Sequence, residues 1–330
     1  MRLYEARIEL KSPAILTTRR TDRGYVKPST FIPGSTLRGA LLTALFREKI
    51  LTQSDLKKEA SEPSILTSAA FPVVRGKRTL PATPFMATCK VCGATIDLTR
   101  EAARALEQGE QPRFPDVCPR CREAVPLENL HGSPVYLDGG TLRRASLRSF
   151  RATSVGISKR RGAAAKGLLF DYEAIAEGSE LWALVSATEN LQLPGELEVT
   201  LGRGGSRGFG WALLRLTNIA LRQVPTRGIF IALSPLTPLP SINWGATSVQ
   251  LKAVVGRTMQ IHLGWDLLRG ESRPFCTVAR TGSLALVEWS GETAQLLTGL
   301  PVTIEGHVAV GLNALLDLET YYKLLEGGSS

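Results

Sequence analysis

Hydrophobic and polar positions alternate along much of this chain, beginning at its N-terminus. The segment "LYEARIELKSPAIL" carries apolar side chains at every second position, a pattern that predicts a β-strand. Further along, "GLLFDYEAIAEGSELWALVSA" predicts two strands joined by a turn at Glu177-Gly178. The segment "GELEVTLGRGGSRGFGWALLRLTNIAL" predicts two more strands, which flank a glycine-rich loop.

Helical spacing is clearest over residues 35–49, where Pro33-Gly34 forms the preceding turn and Ser35 is a candidate N-cap. The apolar side chains that recur at helical spacing and are expected to face the core are Leu37, Ala40, Leu41, Ala44 and Leu45. A second, shorter helix is predicted near "NALLDLETYYKLLE". Because predicted strands outnumber helices, the pattern favours an α+β fold with antiparallel sheets over a doubly wound fold.

The length of 330 residues favours two domains. Proline becomes frequent from Arg227 onward, so we place the boundary between an N-terminal domain, 1–225, and a smaller second domain, 226–330. Residues 84–126 differ in character and form an insert in the first domain. No apolar run is long enough to cross a membrane and no signal peptide is visible, so we expect a cytoplasmic protein without a membrane partner.

Four of the five cysteines are arranged as two C-x2-C pairs, and they are Cys89, Cys92, Cys118 and Cys121. Two such pairs can offer four thiolates to one tetrahedral ion, and a glycine after Cys92 suits the tight turn of a zinc knuckle. Disulfides are the rival interpretation, but nothing signals export and neighbouring C-x2-C pairs are strained as bridges. The spacing therefore predicts structural Zn²⁺, since four thiolates leave no open position for catalysis.

The net charge of +10 raises the question of an acidic partner. Between Asp138 and Asp171 the chain contains no acidic residue and eight basic ones: Arg143, Arg144, Arg148, Arg151, Lys159, Arg160, Arg161 and Lys166. Like charges at this density repel one another in a folded protein, so a polyanion such as a nucleic acid is the partner that this stretch predicts. A solvated basic loop without a ligand is the alternative.

The glycine-rich loop "LGRGGSRGFG" is not a dinucleotide fingerprint. Position 207 is arginine where the third glycine would be required, and the following "WALLRL" predicts a strand instead of a helix. Five glycines are more than a simple hairpin turn needs. We therefore expect backbone N–H groups of this loop, together with Arg203, Ser206 and Arg207, to contact phosphate. No nucleotide-binding or hydrolase motif is present.

The segment "FIPGSTLRGAL", paired with "LGRGGSRGFG" downstream, resembles the signature of the RAMP superfamily, the repeat-associated proteins of CRISPR effector complexes. The central "VGISKRRGAAAKGLLFDYEAIAEGSEL" resembles the middle segment of that family. "GWDLLRGESRPFCTVARTGSLALVEW" is similar to the second domain of its large members. The resemblance implies tandem ferredoxin-like (RRM-like) domains, to which the zinc-knuckle insert is an addition.

Within that family the chain looks like the Cas-five-like subunits of type III complexes, especially the III-D branch. The resemblance implies a non-catalytic subunit that caps the 5′ repeat-derived handle of the crRNA and contacts the large signalling subunit and the backbone RAMP subunits. Target RNA would be met only indirectly. The residues expected to contact RNA are Arg19, Arg20, Gly34, Ser35, Arg38, Arg143, Arg144, Lys159, Arg160, Arg161, Lys166, Arg203, Gly204, Gly205, Ser206 and Arg207.

Three alternatives remain open at this point. A backbone RAMP subunit that cuts target RNA would need an aspartate in the first domain, for which Asp22 is the candidate. An endoribonuclease that processes repeat RNA would need a general base, for which His131 is the candidate. The third alternative is a zinc-stabilised scaffold whose positive face is incidental.

Overall fold

The computed structural model describes residues 1–20, 26–115, 117–123, 127–158, 160–221, 223–266 and 269–327. Within these ranges the helices are α1 (Gly34–Arg47), α2 (Gln53–Lys58), α3 (Thr99–Glu107), α4 (Thr293–Thr298) and α5 (Leu318–Leu325). None of them is long and apolar enough to cross a lipid bilayer.

Strands make up most of the regular structure. Those of the first two thirds of the chain are β1 (Arg2–Leu10), β2 (Thr17–Arg20), β3 (Val26–Pro28), β4 (Ile65–Thr67), β5 (Phe71–Val74), β6 (Lys77–Arg78), β7 (Leu80–Pro81), β8 (Met86–Thr88), β9 (Thr95–Asp97), β10 (Glu128–Asn129), β11 (Pro134–Asp138), β12 (Thr141–Arg144), β13 (Ser149–Ser158), β14 (Ala163–Ile175), β15 (Glu180–Ala187), β16 (Glu196–Thr200) and β17 (Trp211–Ile219). Those of the last third are β18 (Arg227–Ala232), β19 (Ser241–Trp244), β20 (Thr247–Val255), β21 (Thr258–His262), β22 (Trp265–Asp266), β23 (Glu271–Ser272), β24 (Phe275–Ala279), β25 (Leu284–Ser290), β26 (Val302–Ile304), β27 (His307–Ala309) and β28 (Leu315–Asp317).

The first sheet has the order β16-β17-β1-β15-β5-β6, and β4 also pairs with β15. The run β17-β1-β15-β5 is the 4-1-3-2 order of a ferredoxin-like sheet, with α1 in the connection after β1. Antiparallel pairing places β1 between β15 and β17. Apolar residues of β1 and of α1, among them Ile8 and Leu41, are fully buried in one cluster.

The second sheet has the order β19-β20-β25-β18-β28, which repeats the same arrangement. Here β28-β18-β25-β20 is the 4-1-3-2 run, and α4 lies between β25 and β28 along the chain. The other face of the first sheet packs against this second half, because Trp182 and Leu184 share a buried cluster with Ile231 and Tyr321. The protein is therefore an α+β fold with two mostly antiparallel ferredoxin-like sheets that share a core.

The main elements predicted from periodicity are confirmed, including β1, the consecutive strands β14 and β15, the strands around the glycine loop, and helices α1 and α5. The predicted N-cap is wrong by two residues. Helix α1 begins at Gly34 with Pro33 at the cap position and no side-chain cap, because the first turn of the helix packs against neighbouring backbone. The short helices α2 and α4 were not predicted, since neither is long enough to display helical spacing.

Candidate nucleic-acid interface and metal centre

The four cysteines of the two C-x2-C pairs converge on one point. Their Sγ atoms all lie within 4.8 Å of one another, and the Cys89–Cys121 and Cys92–Cys118 pairs are each separated by 3.8 Å. Four thiolates around one tetrahedral ion at roughly 2.3 Å would stand about 3.8 Å apart. The observed spacing fits a single metal ion, and the four residues can hold one.

The two cysteine turns have matching backbone geometry. In the first, the N–H of Gly93 donates to the carbonyl of Cys89, and Gly93 has φ +67°. In the second, the N–H of Arg122 donates to the carbonyl of Cys118, and Arg122 occupies the same left-handed region with φ +59°. Backbone N–H donation from Cys121 lowers the pKa of the Cys118 thiol to about 6, which favours the thiolate that a metal requires.

The insert also packs against the second half of the protein. Helix α3, between the two cysteine turns, buries Ala102 and Leu106 in a cluster with Ile229 and Leu284 of the second sheet. The insert is therefore stabilised by packing against residues that are distant in sequence as well as by its four cysteines.

Side chains of α5 also contact the insert. The hydroxyl of Tyr322 donates to the carboxylate of Asp97 at 2.8 Å. The guanidinium of Arg100 lies 4.2 Å from the centre of the Tyr322 ring and pairs with Glu319. The four-cysteine site is thereby connected to both halves of the fold.

The glycines of the loop between β16 and β17 allow close approach to the protein's own backbone. A Cβ on Gly202 would lie 2.3 Å from the carbonyl oxygen of Ile15, and one on Gly210 would lie 2.1 Å from that of Leu201. The N–H of Arg203 donates to the carbonyl of Ile15, which fastens the loop beside β2. The glycines at 202 and 210 are thus explained by packing, while the loop tip, which includes Gly205, Ser206 and Arg207, is exposed.

Substitution of Gly210 by alanine is expected to destabilise the fold strongly, because the new Cβ would collide with backbone and the residue has φ +81°. We expect the free energy of unfolding to fall by about 3 kcal/mol or more. Gly208 is the matched control, since it has φ +83° but open space around its Cα. Gly208→Ala should lose only the about 1–2 kcal/mol of the left-handed conformation. Urea unfolding of both variants measures the difference, and equal losses would contradict the packing explanation.

Several of the predicted RNA-binding segments meet in a four-stranded sheet with the order β13-β14-β3-β2. Arg19 and Arg20 lie on β2, and Lys166 lies on β14. The glycine loop reaches this sheet as well. The guanidinium carbon of Arg207 stands 5.1 Å from the ring centre of Tyr172 on β14, and its Nη1 lies 3.4 Å from the Tyr172 hydroxyl.

The other arginines predicted to contact RNA lie at the surface, and two of them, Arg143 and Arg144, are on β12 of a separate sheet. The exposed ones are Arg143, Arg144, Arg160, Arg161 and Arg203. Arg144 forms an exposed ion pair with Glu128. Gly204, at φ +83°, precedes the 3-10 turn Gly205–Arg207. Lys159 lies outside the described residues.

The start of α1 does not present the donors that its sequence suggested. A Cβ on Gly34 would lie 2.5 Å from the carbonyl oxygen of Thr67 and 2.9 Å from the Cα of Gly311. Arg38 is 8% exposed and donates to the backbone carbonyls of Ile65 and Glu59 as well as to the Glu59 carboxylate. Gly34 and Arg38 are buried, because the second half of the protein and the chain after α2 cover them, whereas Ser35 is exposed.

Of the two candidate catalytic residues, only His131 lies among the described residues. His131 is 3% exposed, and burial together with the positive charges of Arg280 and Arg257 lowers its pKa to about 4. Asp22 lies outside the described residues. Arg257 and Arg280 were not among the residues predicted to contact RNA, although Arg280 lies in the segment that resembles the second domain of large RAMP proteins.

Comparison with known proteins identifies the family. The RAMP superfamily model matches residues 7–213. No curated protein sequence matches the chain significantly. Among solved structures, a chain in the cryo-EM structure of the Type III-B Cmr-beta bound to cognate target RNA and AMPPnP is 15% identical, with a TM-score of 0.52 and 86% of each chain covered. A chain in the Cmr-beta complex bound to cognate target RNA is 12% identical, with a TM-score of 0.51 and the same coverage of each chain. These likenesses concern the fold, whereas the sequence match spans more than half of the chain, and the protein therefore belongs to the RAMP superfamily.

Proposed function

We propose that this protein is a subunit of a type III CRISPR effector complex and binds the crRNA through its 5′ repeat-derived handle. In this proposal it is a Cas-five-like subunit of the III-D type that contacts the large signalling subunit and the backbone RAMP subunits. The protein itself cuts no RNA. Membership of the RAMP superfamily and the similarity of its fold to a chain of an RNA-bound Type III-B assembly support the assignment.

The observation that carries the RNA-binding part is the convergence of three basic segments that are far apart in sequence. The β2–β3 segment, the β13–β14 hairpin and the tip of the glycine loop lie on or against one small sheet. Exposed guanidinium groups on a shared surface suit the phosphates of a single RNA strand. The start of α1, where Gly34 and Arg38 are buried, has no part in this proposal.

We propose Zn²⁺ as the ion of the four-cysteine site. Thiolate ligands and tetrahedral spacing both favour zinc among the common cellular divalent ions. A site filled by four thiolates has no position for water or substrate, so the ion would stabilise structure and take no part in chemistry.

Co-purification tests the function directly. The protein should be expressed with its partner subunits and a CRISPR array, and the RNA that purifies with it should be sequenced. Enrichment of mature crRNA, with protection of the repeat-derived 5′ end, is the expected result. Random cellular RNA, or none, would favour a zinc-stabilised scaffold and reject the proposal.

A nuclease assay tests the non-catalytic part. Purified protein should leave labelled repeat RNA and target RNA intact, in keeping with the burial of His131. Cleavage that disappears in Asp22→Ala would show a backbone RAMP nuclease. Cleavage that disappears in His131→Ala would show a repeat-processing enzyme.

Changing Arg203 and Arg207 together to alanine is expected to weaken RNA binding and reduce its salt dependence. Each phosphate that is no longer neutralised should lower the slope of log affinity against log salt by about 0.7. Arg215→Ala is the matched control, because Arg215 lies on β17 after the loop and is paired with Glu196. Fluorescence anisotropy with a single-stranded RNA provides the slopes. An unchanged slope in the double variant would limit the loop to a structural role.

A further inference from the structure

Three arginines that are distant in sequence lie near one another at the seam between the two halves, since the charges of Arg257 and Arg144 both act on Arg280. Arg144 ends β12, Arg257 lies in the turn between β20 and β21, and Arg280 lies between β24 and β25. The N–H of Arg280 donates to the carbonyl of Arg257 at 2.8 Å, which holds the two turns together.

The backbone at this seam is shaped around the Arg280 side chain. A Cβ on Gly132 would lie 2.6 Å from Nε of Arg280, so the side chain lies directly across the Gly132 turn. A Cβ on Gly282 would lie 2.2 Å from the carbonyl oxygen of Ala82 and 3.3 Å from the N of Gly132. The turn after β10 and the turn before β25 therefore pack backbone to backbone and fix the position of the guanidinium.

The positive charges at the seam have little compensation. Among the described residues, neither the Arg257 nor the Arg280 side chain forms an ion pair or a hydrogen bond, and the only carboxylate paired with Arg144 is that of Glu128. Burial of Arg280, together with the charges of Arg257 and Arg144, lowers the pKa of its guanidinium. A half-buried cation beside two like charges is unfavourable unless an anion joins it.

One ring nitrogen of the buried histidine next to the arginines, His131, also lacks a hydrogen-bond partner. The ring of His131 is covered, with Nε2 3.5 Å from Oγ of Ser283, while Nδ1 is buried and has no hydrogen-bond partner. Both Arg280 and Arg257 act on this ring electrostatically. Guanidinium groups without a counter-charge, next to an unsatisfied ring nitrogen, are the features of a polar site that a ligand completes.

We propose that Arg144, Arg257 and Arg280 form a phosphate-binding site for the backbone of a single RNA strand, separate from the glycine loop. The ligand is a linked phosphodiester, because Arg144 and Arg257 are exposed and leave the site open along the surface. Arg144 is also joined directly to the β13–β14 hairpin through the chain, so one strand of RNA can continue from the hairpin to the seam. This inference rests on the proposed function and adds an RNA-binding site from the second half of the protein.

The test uses the full-length protein and a fluorescein-labelled oligouridylate. The double variant Arg257→Gln/Arg280→Gln should bind about tenfold more weakly, and its salt slope should fall by about 0.7 for each phosphate that the variant no longer neutralises. Arg227→Gln is the matched control, because Arg227 is an exposed arginine of the second half that is paired with Glu288. Arg280→Lys keeps the charge without the planar fork and should retain part of the affinity.

Thermal unfolding separates a binding role from a structural one. Because the substitutions remove uncompensated like charges, the melting temperature of the double variant should stay the same or rise. A lower melting temperature with an unchanged salt slope would make the arginines structural and overturn the proposal.

Three further results would also overturn it, and they are distinguishable from one another. If the Arg203/Arg207 variant loses RNA affinity and the Arg257/Arg280 variant does not, the seam site fails while the proposed function stands. If ATP or inorganic phosphate binds the unmodified protein and not the Arg257/Arg280 variant, with an unchanged RNA slope, the site belongs to a free phosphate ligand. If the unmodified protein binds no RNA, the proposed function fails and the seam assignment fails with it.

Discussion

Cys118→Ser is expected to release the metal ion and to destabilise the protein more than any surface substitution. The Cys118 side chain is fully buried, and a serine hydroxyl is a poor replacement for a thiolate ligand. Because metal binding at such a site is part of the folding free energy, we expect the free energy of unfolding to fall by more than about 4 kcal/mol. Metal analysis and urea unfolding measure the two effects.

The loss of stability in Cys118→Ser should extend beyond the insert. Helix α3 packs on the second sheet, and Asp97 holds the hydroxyl of Tyr322 on α5. Amide hydrogen exchange should therefore become faster in residues 86–129 and also in α5. A chelator should reproduce the pattern in the unmodified protein.

Cys276→Ser is the matched control for the cysteine prediction. Cys276 lies on β24, is not one of the four converging cysteines, and is partly exposed. The change should leave metal content unaltered and change stability by less than about 1 kcal/mol. A Cys118→Ser protein that kept both its metal and its stability would exclude Cys118 as a ligand of a structural metal ion.

The features that could be predicted from sequence are those with a local cause. The alternation in β1 and the helical spacing in α1 each depend on neighbouring residues, and the structure confirms them. The metal site could also be predicted from the two cysteine pairs, because the spacing within each pair restricts the chemistry that they can perform. The convergence of the four thiolates follows from that spacing once the intervening chain folds back.

The features that sequence reasoning missed depend on packing between distant segments. Gly202 and Gly210 suggested a loop that approaches a ligand, whereas their missing Cβ atoms make room for the backbone of Ile15 and Leu201. Arg38 was predicted to donate to RNA because nothing nearby in the sequence indicates that Glu59 pairs with it. Arg257 and Arg280 were not predicted for the same reason, since only the pairing of β21 with β24, which sets Thr258 opposite Ala279, brings them together.

Arg38→Ala is expected to reduce stability without affecting RNA binding. The guanidinium donates to the Ile65 carbonyl at 2.8 Å, to the Glu59 carbonyl at 2.9 Å and to the Glu59 carboxylate at 2.5 Å. Truncation leaves a buried carboxylate, 6% exposed, without its cation. Breaking one half of a buried ion pair removes about 3–5 kcal/mol, so this variant should unfold at a clearly lower urea concentration.

The double variant Arg38→Met/Glu59→Gln separates the loss of the pair from the loss of packing. Glutamine can still accept from the backbone N–H of Ser64 through its side-chain oxygen, as the Glu59 carboxylate does at 2.9 Å, but it carries no charge. The double variant should therefore be more stable than Arg38→Ala, because no uncompensated charge is buried. Both variants should keep the salt slope of RNA binding found for the unmodified protein. If Arg38→Ala lowered that slope by about 0.7 and left stability unchanged, Arg38 would contact phosphate, and the N-terminus of α1 would belong to the RNA-binding surface.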